Sequence, residues 1–433
     1  MTWAIEDLQM WDEKIKKIAE GYGLDWYPIN YEICDYYSMI GHMSYHGMPT
    51  HYDHWSYGKS FERTHQSYNA GVSGLPYELI INSNPSIAYL MRENPLYLQI
   101  LIMAHCVGHS DFFKNNRMFA STRADSVIGR FRAAKKRIKE YVEDPRIGID
   151  RVEAVIDSCH ALQYQINRTG AERRSHKEMV EWYRSLAEKG EDGCYIVYDI
   201  DVIPLEPDPD VLGFIAEHGK MPDWKRDIIE VVRDESCYFM PQIQTKIMNE
   251  GWASFWHYTI CHDLELDSEY HLPILKSHNG VIRPHIGGLN PYHLGFKIFQ
   301  DIKERFGLEE CFVARESLND VSFIRQYLTH DLAMDLGLFS WSEKKYAWSI
   351  DDISDKDGWK KVREALCRSI GAAGIPVIKV DLLEDNGTLI LHHEHDGRDL
   401  ELEYADKTIQ HVKSLWGNNI EFHTMIEGDA WDI

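Results

Sequence analysis

Two histidines four residues apart, His105 and His109, lie in the apolar run Ile100-Leu-Ile-Met-Ala-His-Cys-Val-Gly-His-Ser-Asp-Phe-Phe113. On an α-helix, positions i and i+4 share a face, so both imidazoles can address one point while the helix stays buried. Much later, Asn249-Glu-Gly-Trp-Ala-Ser-Phe-Trp-His257 places a carboxylate, Glu250, in a second apolar, helix-like stretch. Two imidazoles and one carboxylate leave coordination positions open, as catalytic zinc and non-haem iron require. The expected ligands are therefore His105, His109 and Glu250, and the expected cofactor is a divalent metal, zinc first and iron as the alternative. Gly251, Ala253 and Ser254 are small and would let another helix approach closely beside the carboxylate. His257 lies nearly two turns beyond Glu250, about 10.5 Å along a helix axis, too far to share its ion. It is assigned an orienting or proton-transfer role, together with His278 from a loop-like stretch between Asp263 and Pro291; His285 of the same stretch is a further candidate.

In zinc peptidases with H-E-x-x-H helices, the Glu after the first His is the general base. Here that position is Cys106, which would point about 100° away from His105 around the helix and reads as packing. A replacement carboxylate has to come from elsewhere, and Glu62, Glu78 and Asp111 are the candidates. Glu62 is assigned the catalytic role. It belongs to Gly47-Met-Pro-Thr-His-Tyr-Asp-His-Trp-Ser-Tyr-Gly-Lys-Ser-Phe-Glu-Arg63, whose His51, His54, Lys59 and Arg63 are expected to bind substrate along a cleft wall. The competing reading of this segment is a polar, well-capped helix start. A second histidine cluster, His392-His-Glu-His395, reads as a polar strand end, with His393 and His395 on one face and His392 and Glu394 on the other.

The elements that must position these residues follow from the wider pattern. With 433 residues and 44% hydrophobic content, the chain can fill a sizeable core. Its 69 acidic and 46 basic residues give a formal charge of −23, which argues against general nucleic-acid binding. The basic run Arg130 to Lys139 carries Phe131, Ala134 and Ile138 at helical spacing and reads as a solvated helix face. No C-x-x-C pair occurs among the eight cysteines, no basic and apolar leader opens the chain, and no apolar run of about 18 residues is present. A cytoplasmic protein without a transmembrane segment is expected. Phosphate-cradling glycine motifs and the G-x-S-x-G elbow are absent.

Helical periodicity recurs over Trp3 to Tyr22, Pro85 to Tyr89, Leu96 to Asn115 and Ser126 to Glu143. Tyr77 to Pro85 reads as a short strand or turn whose Asn82 and Asn84 cap the next helix. A short strand followed by a Pro/Asp-rich linker is expected between Glu191 and Pro209. Helical pattern resumes over Val211 to His262 and Tyr292 to Phe306. The last hundred residues interleave strands (338–341, 346–350, 376–382, 388–393, 420–423) with helices near 360–370 and 402–416. The expected fold is a mainly α-helical N-terminal domain with a zincin-like helix pair, plus a small C-terminal α+β domain. In chain order this gives residues 1–205, a helical continuation 206–335 sharing the same core and carrying Glu250, and an α+β module 336–433.

Four blocks resemble the stage V sporulation protein R (SpoVR-like) family: Gly47 to Arg63 with Tyr77 to Pro85; Ala104 to Asn116; Tyr238 to His257; and Ser277 to Gly280 with Leu289-Asn-Pro-Tyr292. The segments His393 to Gly397 and Leu415-Trp-Gly417 extend the likeness over nearly the whole chain. The resemblance implies a part in forming the spore cortex, a peptidoglycan layer, although similar proteins occur in bacteria that make no spores. The Glu-Gly-Trp-Ala motif also resembles the third-ligand helix of some gluzincin-like peptidases. Three functions are consistent with these readings: a metal-dependent amide hydrolase acting on a small-molecule or peptide substrate related to cell-wall peptides, a non-haem iron enzyme on the same ligands, or a regulatory scaffold binding a protein partner through its C-terminal module.

Overall fold

A computed structural model describes residues 3–70, 78–170, 173–187, 200–285, 288–344 and 347–432. The strand expected after Glu191 lies mostly outside them. The chain is mainly helical and divides into two compact units, each assembled from two stretches of sequence: Met1–Lys135 with Pro241–Gly374, and Lys136–Met240 with Ile375–Ile433. The boundaries near 205 and 335 follow chain order, whereas the compact units interleave.

The first unit is built on the helix Leu96–Asn115, here the histidine helix. Its residues from Leu98 to Phe113 are buried on every side, so it lacks an amphipathic stripe and forms the centre of the core. The helix Lys246–Asp263, here the glutamate helix, packs along it and is buried over most of its length. The small residues noted in the sequence set the spacing. A Cβ added to Gly108 would come 2.7 Å from the Ala253 Cα. On the other side, Gly251 meets Gly295 of the helix Pro291–Phe306, where an added Cβ would stand 2.4 Å from backbone. Only glycine permits these approaches without displacing the neighbouring backbone.

The glutamate helix has no cap from its own N-terminal residue. Asp320, at the start of the helix Asp320–Tyr327, accepts hydrogen bonds from the Ile247 and Met248 N–H groups at 2.9 and 2.8 Å. These otherwise orphaned donors are buried, so Asp320→Ala is expected to cost about 2 kcal/mol. Thermal melts should show a fall of about 4 to 8 °C, and Asp320→Asn, which keeps an acceptor, a smaller one. An unchanged melt would remove this capping from the account.

A three-stranded sheet packs against the histidine helix. Ser86–Met91 is central, pairing parallel with Ile29–Cys34 and antiparallel with Glu78–Ile81. The helical reading of Pro85 to Tyr89 is thus corrected: a short apolar run has no period long enough to separate strand from helix, and pairing on both sides decides it. A strand, not a helix, follows Asn82 and Asn84, which bond Thr122 and Asp125. The loop-like stretch after Asp263 is also corrected, because Ser268–Val281 is helical with Pro273 inside it. Its Ser, Asn, Gly and Pro content lowers helix propensity, but burial of Ile274 and His278, four residues apart, outweighs that.

The C-terminal pattern is close to expectation. Phe339–Lys344 and Ala347–Ile353 form a hairpin, followed by the helix Trp359–Ser369. In the second unit a four-stranded sheet runs in chain order through Ile378–Leu383, Leu389–His393, Ile420–Ile426 and Asp429–Asp432. Its middle pair is parallel and is connected through the helix Leu402–Trp416, which packs on the helix Ile149–Ala161. Among the described residues, no helix is long and apolar enough to cross a membrane.

Candidate metal centre

His105 and His109 emerge from one face of the histidine helix toward the start of the glutamate helix. His109 Nε2 lies 3.4 Å and His105 Nε2 3.8 Å from the same oxygen, Glu250 Oε2. Glu78, from the edge of the three-stranded sheet, brings Oε1 to 3.6 Å from His105 Nε2. Glu78, His105 and His109 each offer a ligand atom within 4.8 Å of the others, the one such group of three or more found among the described residues. The sequence-expected trio is therefore brought together, and a fourth donor, Glu78, joins it.

Both rings are held by their other nitrogen. His109 Nδ1 bonds Asn249 Oδ1 at 2.8 Å, and an amide oxygen can only accept, so Nδ1 carries a proton and Nε2 is the nitrogen that faces Glu250. His105 Nδ1 lies 2.8 Å from His257 Nδ1, and His257 Nε2 lies 2.7 Å from His278 Nδ1. A consistent assignment passes one proton along each link, from His105 to His257 and from His257 to His278, and leaves His105 Nε2 unprotonated. His105 Nε2 and Glu250 Oε2 are buried without a hydrogen-bond partner, a costly state for polar atoms unless something else occupies the space between them.

Burial alone would raise the Glu250 carboxyl pKa, but the Lys246 ammonium and the two histidines hold it well below the usual range. Lys246 pairs with the other Glu250 oxygen from one turn back. Burial depresses the His109 pKa, yet the Glu250 carboxylate outweighs it and the net direction is upward, toward the imidazolium that pairs with Glu250, so an ion taken up here would displace the Nε2 proton. His257 is pushed well below its ordinary value by burial and by the neighbouring His105 and His278, and His278 is brought down to about 4 for the same first reason, with His105 and Lys297 adding to it. The relay pair is thus held neutral, as the proton assignment requires.

Donor atoms around a tetrahedral zinc ion, at bonds of about 2.0 to 2.1 Å, are separated by roughly 3.3 Å. The three imidazole–carboxylate distances of 3.4 to 3.8 Å come close to that. Glu78, His105 and His109 form a group that could hold a metal ion, and Glu250 faces both imidazoles.

The remaining candidates fall elsewhere. Glu62 is exposed on the helix Trp55–Asn69 and bonds Gln66, so it is not brought to the cluster. Arg63 is exposed on that helix, and exposed Lys59 lies over the Trp55 ring. His51 is buried against Tyr57 and Phe131, and His54 caps the helix through Ser56, so these two build the aromatic packing around its start. Asp111 is buried facing away, bonded by Trp252 Nε1 and the Asp25 N–H and pushed up to about 6 by burial; it ties the two helices together. His285 is exposed.

Sequence reasoning gave no role to Asn249 or Tyr292. Asn249 immediately precedes Glu250, where its meaning depends on which way the helix faces. Tyr292 follows the cap residue Asn290 and Pro291 at the start of its helix, and its ring stacks on His105 with centroids 6.1 Å apart. Burial, then Glu250 and Glu78, push its hydroxyl pKa upward.

Comparison with known proteins bears on the whole chain. The family model described as SpoVR like protein matches residues 2–375, and that described as SpoVR-like C-terminal domain matches residues 373–427. The uncharacterized protein YcgB of Escherichia coli (strain K12) is 34% identical over 98% of this chain and 92% of its own length. No solved structure matches. The family models and this relative together span the chain from end to end, and it belongs to the SpoVR family.

Proposed function

We propose that the protein is a metal-dependent amide hydrolase whose ion is held by His105, His109 and Glu250, and that its substrate is a cell-wall peptide used in building spore cortex peptidoglycan. The observation that carries the reading is that the His105 and His109 Nε2 atoms face Glu250, with Glu78 beside His105, in one buried cluster. Family membership supports the process, through the sporulation role its name implies.

A divalent ion bound there supplies Lewis acidity to polarise the scissile carbonyl. Glu78 takes the proton of the attacking water, the task left vacant by Cys106, whose thiol is kept protonated by burial. Its position on a strand edge, with the side chain 14% exposed, leaves it within reach of substrate. The Tyr292 hydroxyl stays protonated and donates toward the oxygen on which charge develops. His257 and His278 hold the His105 ring in its metal-binding tautomer.

Glu78→Gln tests this assignment. It removes the base while keeping an isosteric side chain, so release of amine from peptidoglycan stem peptides should fall by about 100-fold or more with metal content close to wild type. Wild-type rates in Glu78→Gln would remove Glu78 from the chemistry, and no amine release by metal-loaded wild-type protein would overturn the hydrolase reading. A non-haem iron enzyme is the second reading, supported by the same two-histidine, one-carboxylate donor set, and the identity of the native metal separates the two.

A further inference from the structure

The second unit carries a separate histidine arrangement that the proposed hydrolase does not use. Across the four-stranded sheet, His392 and His423 are register partners on adjacent parallel strands, so their side chains rise from the same face about 4.8 Å apart at the backbone. Each ring is flanked on its outer side by an aspartate. Asp381 Oδ1 lies 2.5 Å from His392 Nδ1, and Asp432 Oδ1, on the strand paired with His423, lies 2.6 Å from His423 Nδ1. Asp381 sits at the register shift between Val380 and Leu382, and a bulge of this kind re-aims one side chain, here toward His392.

A carboxylate oxygen accepts, so both neutral rings carry their proton on Nδ1 and present Nε2 as a lone pair. The same carboxylate and histidine pairing orients histidines in protein metal sites. The side chains of His392 and His423 are 28% and 42% exposed, so neither ring is sealed from solvent. The nearby ammonium of Lys379 is paired with Glu394 at 2.6 Å and so is neutralised by its own partner. His393, one residue along, faces the other side of the sheet, buried against Thr424.

We propose that His392 and His423 form a second metal-binding pair on the exposed face of the C-terminal sheet, taking a divalent transition ion such as zinc with Asp381 and Asp432 fixing the two rings. Water completes the coordination, so this site is weaker than the buried centre and exchanges freely with solution.

The test is calorimetric titration of the full-length, untagged protein with Zn2+. Wild type should show a weak event that weakens by more than about tenfold in His392→Ala and in His423→Ala, and by less in Asp381→Asn. The event should persist in His105→Ala/His109→Ala, which separates it from the buried centre. Equal affinity and stoichiometry in wild type and both single variants would overturn the proposal, as would loss of the event in the His105→Ala/His109→Ala protein with its C-terminal sheet intact by circular dichroism. Should His392→Ala fail to fold, His423→Gln on the more exposed residue carries the same comparison.

Discussion

His109→Ala is expected to empty the buried centre: metal content should fall by more than about tenfold while the protein stays folded. The ligand is lost outright, and the neighbouring Glu250 oxygen, already without a hydrogen-bond partner, loses one of the groups facing it. Asn249→Ala leaves all ligands in place and removes only the acceptor that fixes the His109 tautomer, so its metal affinity should drop by about 10- to 100-fold. The two variants, measured by elemental analysis after identical dialysis, should rank in that order. Full occupancy in His109→Ala would mean that the ion is held by other residues.

Gly295→Val is expected to be the most damaging single change to stability. A Cβ at this position would lie 2.1 Å from the Ile247 carbonyl oxygen and 2.7 Å from the Gly251 Cα, and both obstacles are backbone. Rotamer changes cannot relieve such a clash, so the helix Pro291–Phe306 would have to move away from the glutamate helix. A cost of about 3 kcal/mol or more follows, lowering the melting temperature by about 6 to 12 °C. Because Gly251 adjoins Glu250 and Tyr292 rides on the displaced helix, metal affinity should weaken in parallel. A melt within about 1 °C of wild type would contradict the close packing described.

Much of the centre was legible because helical spacing is a strong constraint. His105 and His109 had to share a face, and the small residues after Glu250 marked where helices touch. Glu78 was harder to choose from the sequence because it reaches the site from a sheet strand, and strand partners separated by loops carry no spacing signal. Glu62 drew attention through the density of polar residues around it, but that density serves a helix start and an aromatic cluster. His278 lies beside His257 on a helix, where a loop was expected, since weak local propensity was overridden by burial of one face. The C-terminal strands and the helix Leu402–Trp416 were readable from clear alternation and turn residues such as Asn386-Gly387. The interleaving of the two units was not, because periodicity says nothing about which distant segments share a core.

The most direct test of the metal centre is elemental analysis of protein purified without a histidine tag, combined with melts before and after chelation. The account predicts about one equivalent of a transition metal at the buried site, zinc for the hydrolase, and a clear loss of stability when it is removed. Less than about a tenth of an equivalent of any transition metal, with melting insensitive to chelator, would contradict it.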